Sequence, residues 1–241
     1  MPVGHSRRVR LAVYRRVSLV RFMPDELIAL FDGQGQSIGA KERTAAYRDG
    51  DRVGLAFVWA AWRTSSGVAR TLLQTRSRPG DPYLGSLDAP AGGHIRAGET
   101  PTAAAHREFT EEVGIALTPA QLVFLGQQPL QGTERSAMQF FYLCTRLISL
   151  GETVFNEEVG AFVEVRLDDF AALVCGRTAS IQGQARYRES PNKTRPREIT
   201  PAAFAAYSEP IMDAIRRSAS AIRVYLDTEQ VNATIWPPAT A

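Results

Sequence analysis

The stretch Gly93-His-Ile-Arg-Ala-Gly-Glu99, running through Thr100-Pro-Thr-Ala-Ala-Ala-His106 into Arg107-Glu-Phe-Thr-Glu-Glu-Val-Gly-Ile115, decides the fold. Thr100 is suited to cap a helix, Pro101 fits a first turn and Gly114 falls just past the end, so the stretch predicts a helix over 100–113. Residues three and four apart share a helix face, which puts Glu108, Glu111 and Glu112 in one patch, with Glu99 just ahead of it. Like charges at that spacing cost an isolated helix about 0.2–0.5 kcal/mol per pair, a cost that a bound cation offsets. Hard divalent ions take carboxylate oxygens, and Mg2+ commonly sits between carboxylates and substrate phosphates. Taken alone, Glu-x-x-Glu-Glu also reads as a solvated acidic face.

Outward from that helix the chain reads as strands and turns. Leu27–Phe31 suits a short strand before the turn Asp32-Gly33-Gln34-Gly35. Val53–Trp62 suits a central strand, and Val68–Thr75 suits its hairpin partner across the Thr64–Gly67 turn. Trp59 and Trp62 then point to opposite faces. Ser77–Ser86, with two prolines and two glycines, reads as a loop. Leu122–Leu125, Met138–Leu147 and Ala161–Val165 read as strands, and Leu167–Val174 as a short helix. After Cys175 the segment 176–200 is polar, with six Lys or Arg against two Glu, and reads as a linker, a lid or a substrate loop. Apolar residues at helical spacing from Phe204 to Leu226 predict a helix packed on the core, split or kinked at Pro210. Trp236 is placed to anchor the tail.

The composition suits a soluble globular chain: 241 residues, 44% hydrophobic and 22% charged. No run approaches the roughly 20 apolar residues that a membrane helix needs. Two cysteines, Cys144 and Cys175, build neither a disulfide framework nor a four-cysteine zinc site, and both read as buried, inert thiols. A reducing cytoplasm is the expected compartment. The net charge of +3 hides an asymmetry, since residues 1–24 hold six arginines and no acid, leaving the remainder with a small acidic excess. Residues 1–23 thus read as a basic arm, or as sequence upstream of a start at Met23. With the basic excess confined there, nucleic acid is not an expected partner.

The motif Gly93-x5-Glu99-x7-Arg107-Glu108-Phe109-x-Glu111-Glu112-x-Gly114-Ile115 resembles the Nudix box, and all nine of its specified positions match. The resemblance covers roughly residues 26–175. A looser resemblance, carried by Leu30–Gly39, Arg43, Tyr47–Gly50, Thr75–Pro79 and Leu87–His94, is to the isopentenyl-diphosphate-isomerase-like branch of that family. The true isomerases use a cysteine shortly before the box and histidines at a second metal site. Here Asp88-Ala89-Pro90-Ala91 has no cysteine, and Tyr47 and Val53 stand where the upstream histidines are expected.

The resemblance implies an α/β (α+β) fold, a three-layer α/β/α sandwich around a mixed sheet. It implies domain boundaries of 24–175 for the Nudix unit and 176–241 for a basic loop plus helical extension. It also implies hydrolysis of a nucleoside diphosphate linked to another moiety, or of a related diphosphate, with Mg2+ or Mn2+ as cofactor and a small molecule as partner. Monomer and homodimer both remain open. Glu108, Glu111 and Glu112 match the family's metal-binding glutamates, the Gly92 carbonyl matches a backbone ligand, and Glu99 supports the loop and reaches toward metal. Arg107 matches the arginine that orients the glutamates. The base is one of these glutamates or one from another loop, for which Glu157 and Glu158 are candidates. Gly93 and Gly114 match backbone positions where glycine tolerates positive φ. Arg76 and Arg78 read as phosphate clamps or surface charge. His94 is placed beside the site, with a structural or phosphate-contacting role. Two rivals stand beside the hydrolase: a non-catalytic nucleotide-sensing module and the isomerase itself.

Overall fold

The computed structural model describes residues 26–131 and 136–237. The basic arm and the Met23 start lie outside them. Among the described residues eleven strands join in one sheet: β1 (Leu27–Phe31), β2 (Ser37–Glu42), β3 (Val53–Arg63), β4 (Ala69–Arg76), β5 (Leu87–Asp88), β6 (Ala91–His94), β7 (Leu122–Gln131), β8 (Ser136–Cys144), β9 (Val159–Arg166), β10 (Ile181–Tyr187) and β11 (Ser190–Ile199). The helices are α1 (Arg43–Arg48), α2 (Pro101–Val113), α3 (Leu167–Val174) and α4 (Glu209–Thr228). β3 pairs with β8 in parallel and the other pairings are antiparallel, so the sheet is mixed.

The alternation of β3 sorts the layers. Ala56, Val58, Ala60 and Trp62 face a core shared with Ala104, Ala105, Phe109 and Val113 of α2. Trp59 and Ala61 face the opposite core, with Phe170 of α3 and Ala214, Ile215 and Ile222 of α4. Both tryptophans are buried. Helices therefore cover both faces, giving the α/β/α sandwich.

Three readings of the fold are corrected, and two elements are added. Segment 176–200 is no linker: β10 pairs with β9 and β11 with β10, so the sheet continues beyond residue 175. Residues Ile181, Gly183 and Ala185 alternate inward, but small side chains and polar neighbours mask the period. The C-terminal helix starts at Glu209, with Pro210 in its first turn, and a separate 3-10 turn at Pro201–Phe204 precedes it. Proline lacks the N–H that a first-turn residue would leave unpaired, so it begins the helix rather than kinking it. Cys144 is buried but Cys175, just past α3, is exposed. Finally, β2 and α1 are elements that the apolar pattern did not announce.

The tail is anchored as expected. Trp236 stacks on Phe141 with ring centroids 4.5 Å apart, and its indole N–H donates to the Leu125 carbonyl at 2.7 Å. Trp236→Ala is expected to cost about 3–5 kcal/mol in urea unfolding, the usual range for an emptied aromatic site. A loss under about 1 kcal/mol would show that the tail is dispensable to the core.

Candidate active site

Helix α2 forms as its sequence dictates. The Thr100 hydroxyl accepts from the Ala103 N–H at 3.1 Å, and Gly114 closes the helix in the left-handed conformation at φ 78°. Ala104, Glu108 and Glu112 fall on the inward row beside Ala105, Phe109 and Val113. Two of the three box glutamates are therefore buried, Glu108 at 8% and Glu112 at 5% exposure, while Glu111 lies on the outer row and is exposed.

Arg107 organises the cluster. Its Nε and Nη2 bind both oxygens of Glu99 at 2.7 and 2.9 Å, and Nη1 donates to Glu108 at 2.7 Å and to Glu111 at 3.2 Å. Nη2 also donates to the His94 carbonyl at 2.9 Å, which ties α2 to β6. The planar fork makes these bonds together in a way that a lysine cannot. Hydrogen bonding from Arg107 lowers the Glu99 carboxyl below its ordinary range. Burial raises Glu108 above it. Burial raises Glu112 further, with the Glu108 charge adding to the effect. Among the described residues the one hydrogen bond of the Glu112 side chain comes from a neutral amide, Gln74 Nε2 at 2.6 Å.

The sheet opens where these groups meet. β3 pairs with β6 along Leu55–Val58 and with β4 only from Ala60 onward, so β4 continues against β5 and β9 instead. A cavity of about 630 Å³ lies at this opening. Glu108, Glu111, Glu112, Gly92, Gly93, His94, Arg107, Arg76, Arg78 and Glu158 all line it. Glu99 stands behind, reached through Arg107. Glu157 is exposed and outside the lining, where its carbonyl accepts from Ser77 and Arg188.

The arginines differ in their engagement. Arg76 is held by Asp81 and Asp88, at 2.5 and 3.0 Å, so its charge is already matched and it fastens the 77–86 loop. Arg78 pairs with Glu158 at 2.9 Å on the rim. His94 Nε2 shares a 2.6 Å hydrogen bond with the Tyr47 hydroxyl. Gly93 is not at positive φ, contrary to the reading from sequence. It is needed because a Cβ there would stand 2.3–2.7 Å from the Glu108 carboxylate.

The sequence reading missed several lining residues. Gln74 supports Glu112 without lining the cavity, whereas Arg43, Gln139, Tyr207 and Ile211 do line it. Arg43 has no ion-pair partner among the described residues. Gln139 had a legible signal, as a lone polar residue within the apolar run of β8, whereas Gln74 stands beside Thr75 and Arg76 and had none.

The donor set fits a hard divalent cation. Glu108 and Glu112 place two buried carboxylates together, and among the described residues the one hydrogen-bond partner of the Glu112 side chain is uncharged, so the charge there is poorly compensated. Among the described residues no three acidic, histidine or cysteine side chains converge as a closed cage, and Arg107 Nη1 occupies one oxygen each of Glu108 and Glu111.

The NUDIX domain family model matches residues 56–188, which runs past residue 175 into β10. The chain is 35% identical over 96 residues to Nudix hydrolase 3 of Arabidopsis thaliana, covering 39% of this chain and 12% of that protein. It is 33% identical over 117 residues to an uncharacterised Nudix hydrolase of Rhodococcus erythropolis, covering 46% of this chain and 54% of that one. An isopentenyl-diphosphate Δ-isomerase of Photobacterium profundum is 36% identical over 92 residues, or 38% of this chain and 50% of the isomerase. These matches span at most about half the length of each relative. Nudix hydrolases generally use divalent metal ions. A model match over more than half of the chain, containing an intact box that brings Arg107, Glu108, Glu111 and Glu112 to one cavity, means that the chain belongs to the Nudix family.

Proposed function

We propose that this chain is a pyrophosphohydrolase, dependent on Mg2+ or Mn2+, that cleaves a nucleoside diphosphate linked to another moiety or a related diphosphate. The observation that carries the reading is the pair of buried carboxylates, Glu108 and Glu112, at the mouth of the cavity, where of the two Arg107 pairs with Glu108 alone and Glu112 meets only a neutral amide among the described residues. Glu108, Glu111, Glu112 and the Gly92 carbonyl would hold the metal, which neutralises phosphate oxygens and lowers the pKa of water. In the reaction a water oxygen bonds to phosphorus, the phosphoanhydride P–O bond breaks, and the water's proton passes to a carboxylate. Among the lining carboxylates Glu111 and Glu158 both have solvent access, and Arg78 orients Glu158. Arg107 fixes the angle of Glu108 and Glu99 before substrate arrives. His94, held by Tyr47, and Arg43 face the substrate phosphates.

Isomerase chemistry finds no thiol here. Burial pushes the Cys144 thiol up to about 11, and Cys175 lies away from the cavity. The test is phosphate release, through a coupled phosphatase, from a panel of nucleoside diphosphate derivatives, dinucleotides and sugar nucleotides. Turnover that needs Mg2+ or Mn2+ is expected for at least one class. Metal-independent binding without turnover across the panel would favour a sensing module.

A further inference from the structure

The part of the cavity floor formed by β3, β7 and β8 is apolar at Leu55, Phe57, Leu130 and Ala137, and Ile211 of α4 joins them. One polar side chain interrupts it. Gln139 is only 3% exposed and lies opposite Gln128 in the β7–β8 register. Gln128 Nε2 donates to Gln139 Oε1 at 3.4 Å, the long limit of such a bond. The Gln128 Oε1 is buried without a partner, and the Gln139 amide nitrogen makes no hydrogen bond among the described residues. Exchanging O and N in both amides preserves the deficit, since Gln139 would then present an unpaired oxygen. A buried amide edge left unpaired is costly, whereas an apolar residue would pack on this floor without that cost.

We propose that Gln139 is a specificity-determining residue, and that its amide hydrogen-bonds the edge of a flat heterocycle, a nucleobase, carried by the diphosphate substrate. The inference rests on the pyrophosphohydrolase reading and adds which part of the substrate the β7–β8 floor selects. The faces of such a ring meet Leu55, Phe57 and Ile211, and its edge meets the amide. A diphosphate of an aliphatic alcohol fills the same space but leaves Gln139 unpaired. Sites built to hydrogen-bond a ligand reject analogues that lack the matching group far more strongly than apolar pockets reject a change of size.

The test is calorimetric binding, with Mg2+ present, of methylene-bridged analogues of ADP, CDP, GDP and UDP. A methylene-bridged alkyl diphosphate and methylenediphosphonate serve as references. At least one nucleotide is expected to bind about tenfold or more tightly than either reference, as one well-made buried hydrogen bond allows. Gln139→Leu is expected to bring that nucleotide to near parity while leaving methylenediphosphonate unchanged. The double variant Gln128→Leu/Gln139→Leu removes both amides and is expected to melt at or above the wild-type temperature with the same loss of preference. Absence of any nucleotide preference, or its persistence in the folded variants, would overturn the proposal. Loss of metal-dependent phosphate release across the whole panel would instead sink the hydrolase reading, and the binding outcome remains readable without it.

Discussion

Glu112→Gln is expected to leave the fold intact and to cut turnover by orders of magnitude. The two side chains have nearly the same shape, and Gln74 can still donate to an oxygen at position 112. What disappears is a charge that burial disfavours and the Glu108 charge disfavours further. The metal-free variant should therefore be as stable as the parent or slightly more so, since removing a poorly compensated buried charge relieves a desolvation cost. If the glutamate serves folding, the opposite follows: lower stability and unchanged activity per folded molecule. A bound divalent ion contributes several kcal/mol of charge stabilisation to phosphoryl transfer, and each 1.36 kcal/mol is about tenfold in rate, so a loss of about a thousandfold is the expected scale. Mg2+ should also raise the melting temperature of the parent and no longer that of the variant, because a ligand stabilises only by binding the folded state. Glu111→Gln makes the contrast. It removes exposed ion pairs to Arg107 and Arg96, worth at most about 1 kcal/mol, yet should also lower turnover if the outer carboxylate swings onto the metal. Parental turnover in both variants would remove these residues from the chemistry.

How much of this was legible depends on where each signal is stored. Helix α2, its Thr100 cap and its Gly114 stop are local, and the chain there reads as it folds. The inside-outside split of the glutamates is not local: the Phe109 row docks on β3, and that rotation buries Glu108 and Glu112 while leaving Glu111 outside. Arg78 and Glu158 lie eighty positions apart and meet only because β4 pairs with β9, a register that no single segment encodes. The β10–β11 hairpin was hidden by composition. Its outer strand carries Pro191, Lys193, Arg195 and Pro196, the residues that keep an exposed edge from pairing with another chain. Gln139 was visible as a polar interruption of an apolar run, but its meaning needed the cavity over it, and Gln74, beside Thr75 and Arg76, was marked only by its bond to Glu112.

Gly93→Ala is expected to damage the site more than its size suggests. Gly93 lies in β6 opposite Ala56, with an ordinary backbone conformation that alanine adopts without strain. The added methyl has no room, because it would fall 2.3–2.7 Å from the Glu108 carboxyl atoms. That carboxylate must move, and with it goes the 2.7 Å bond from Arg107 and the placing of one buried metal-ligand candidate. A displacement of about 1 Å in a reacting constellation can cost about a hundredfold in rate, so turnover should fall by that order while the protein remains folded. The rise in melting temperature on adding Mg2+ should shrink as well. Gly151→Ala supplies the comparison, since its methyl would meet the Ser149 hydroxyl at an unstrained 3.6 Å. That variant should match the parent in turnover and metal response. If Gly93→Ala matches it too, the close approach of β6 to Glu108 has no part in catalysis, and the site tolerates a side chain at this position of the box.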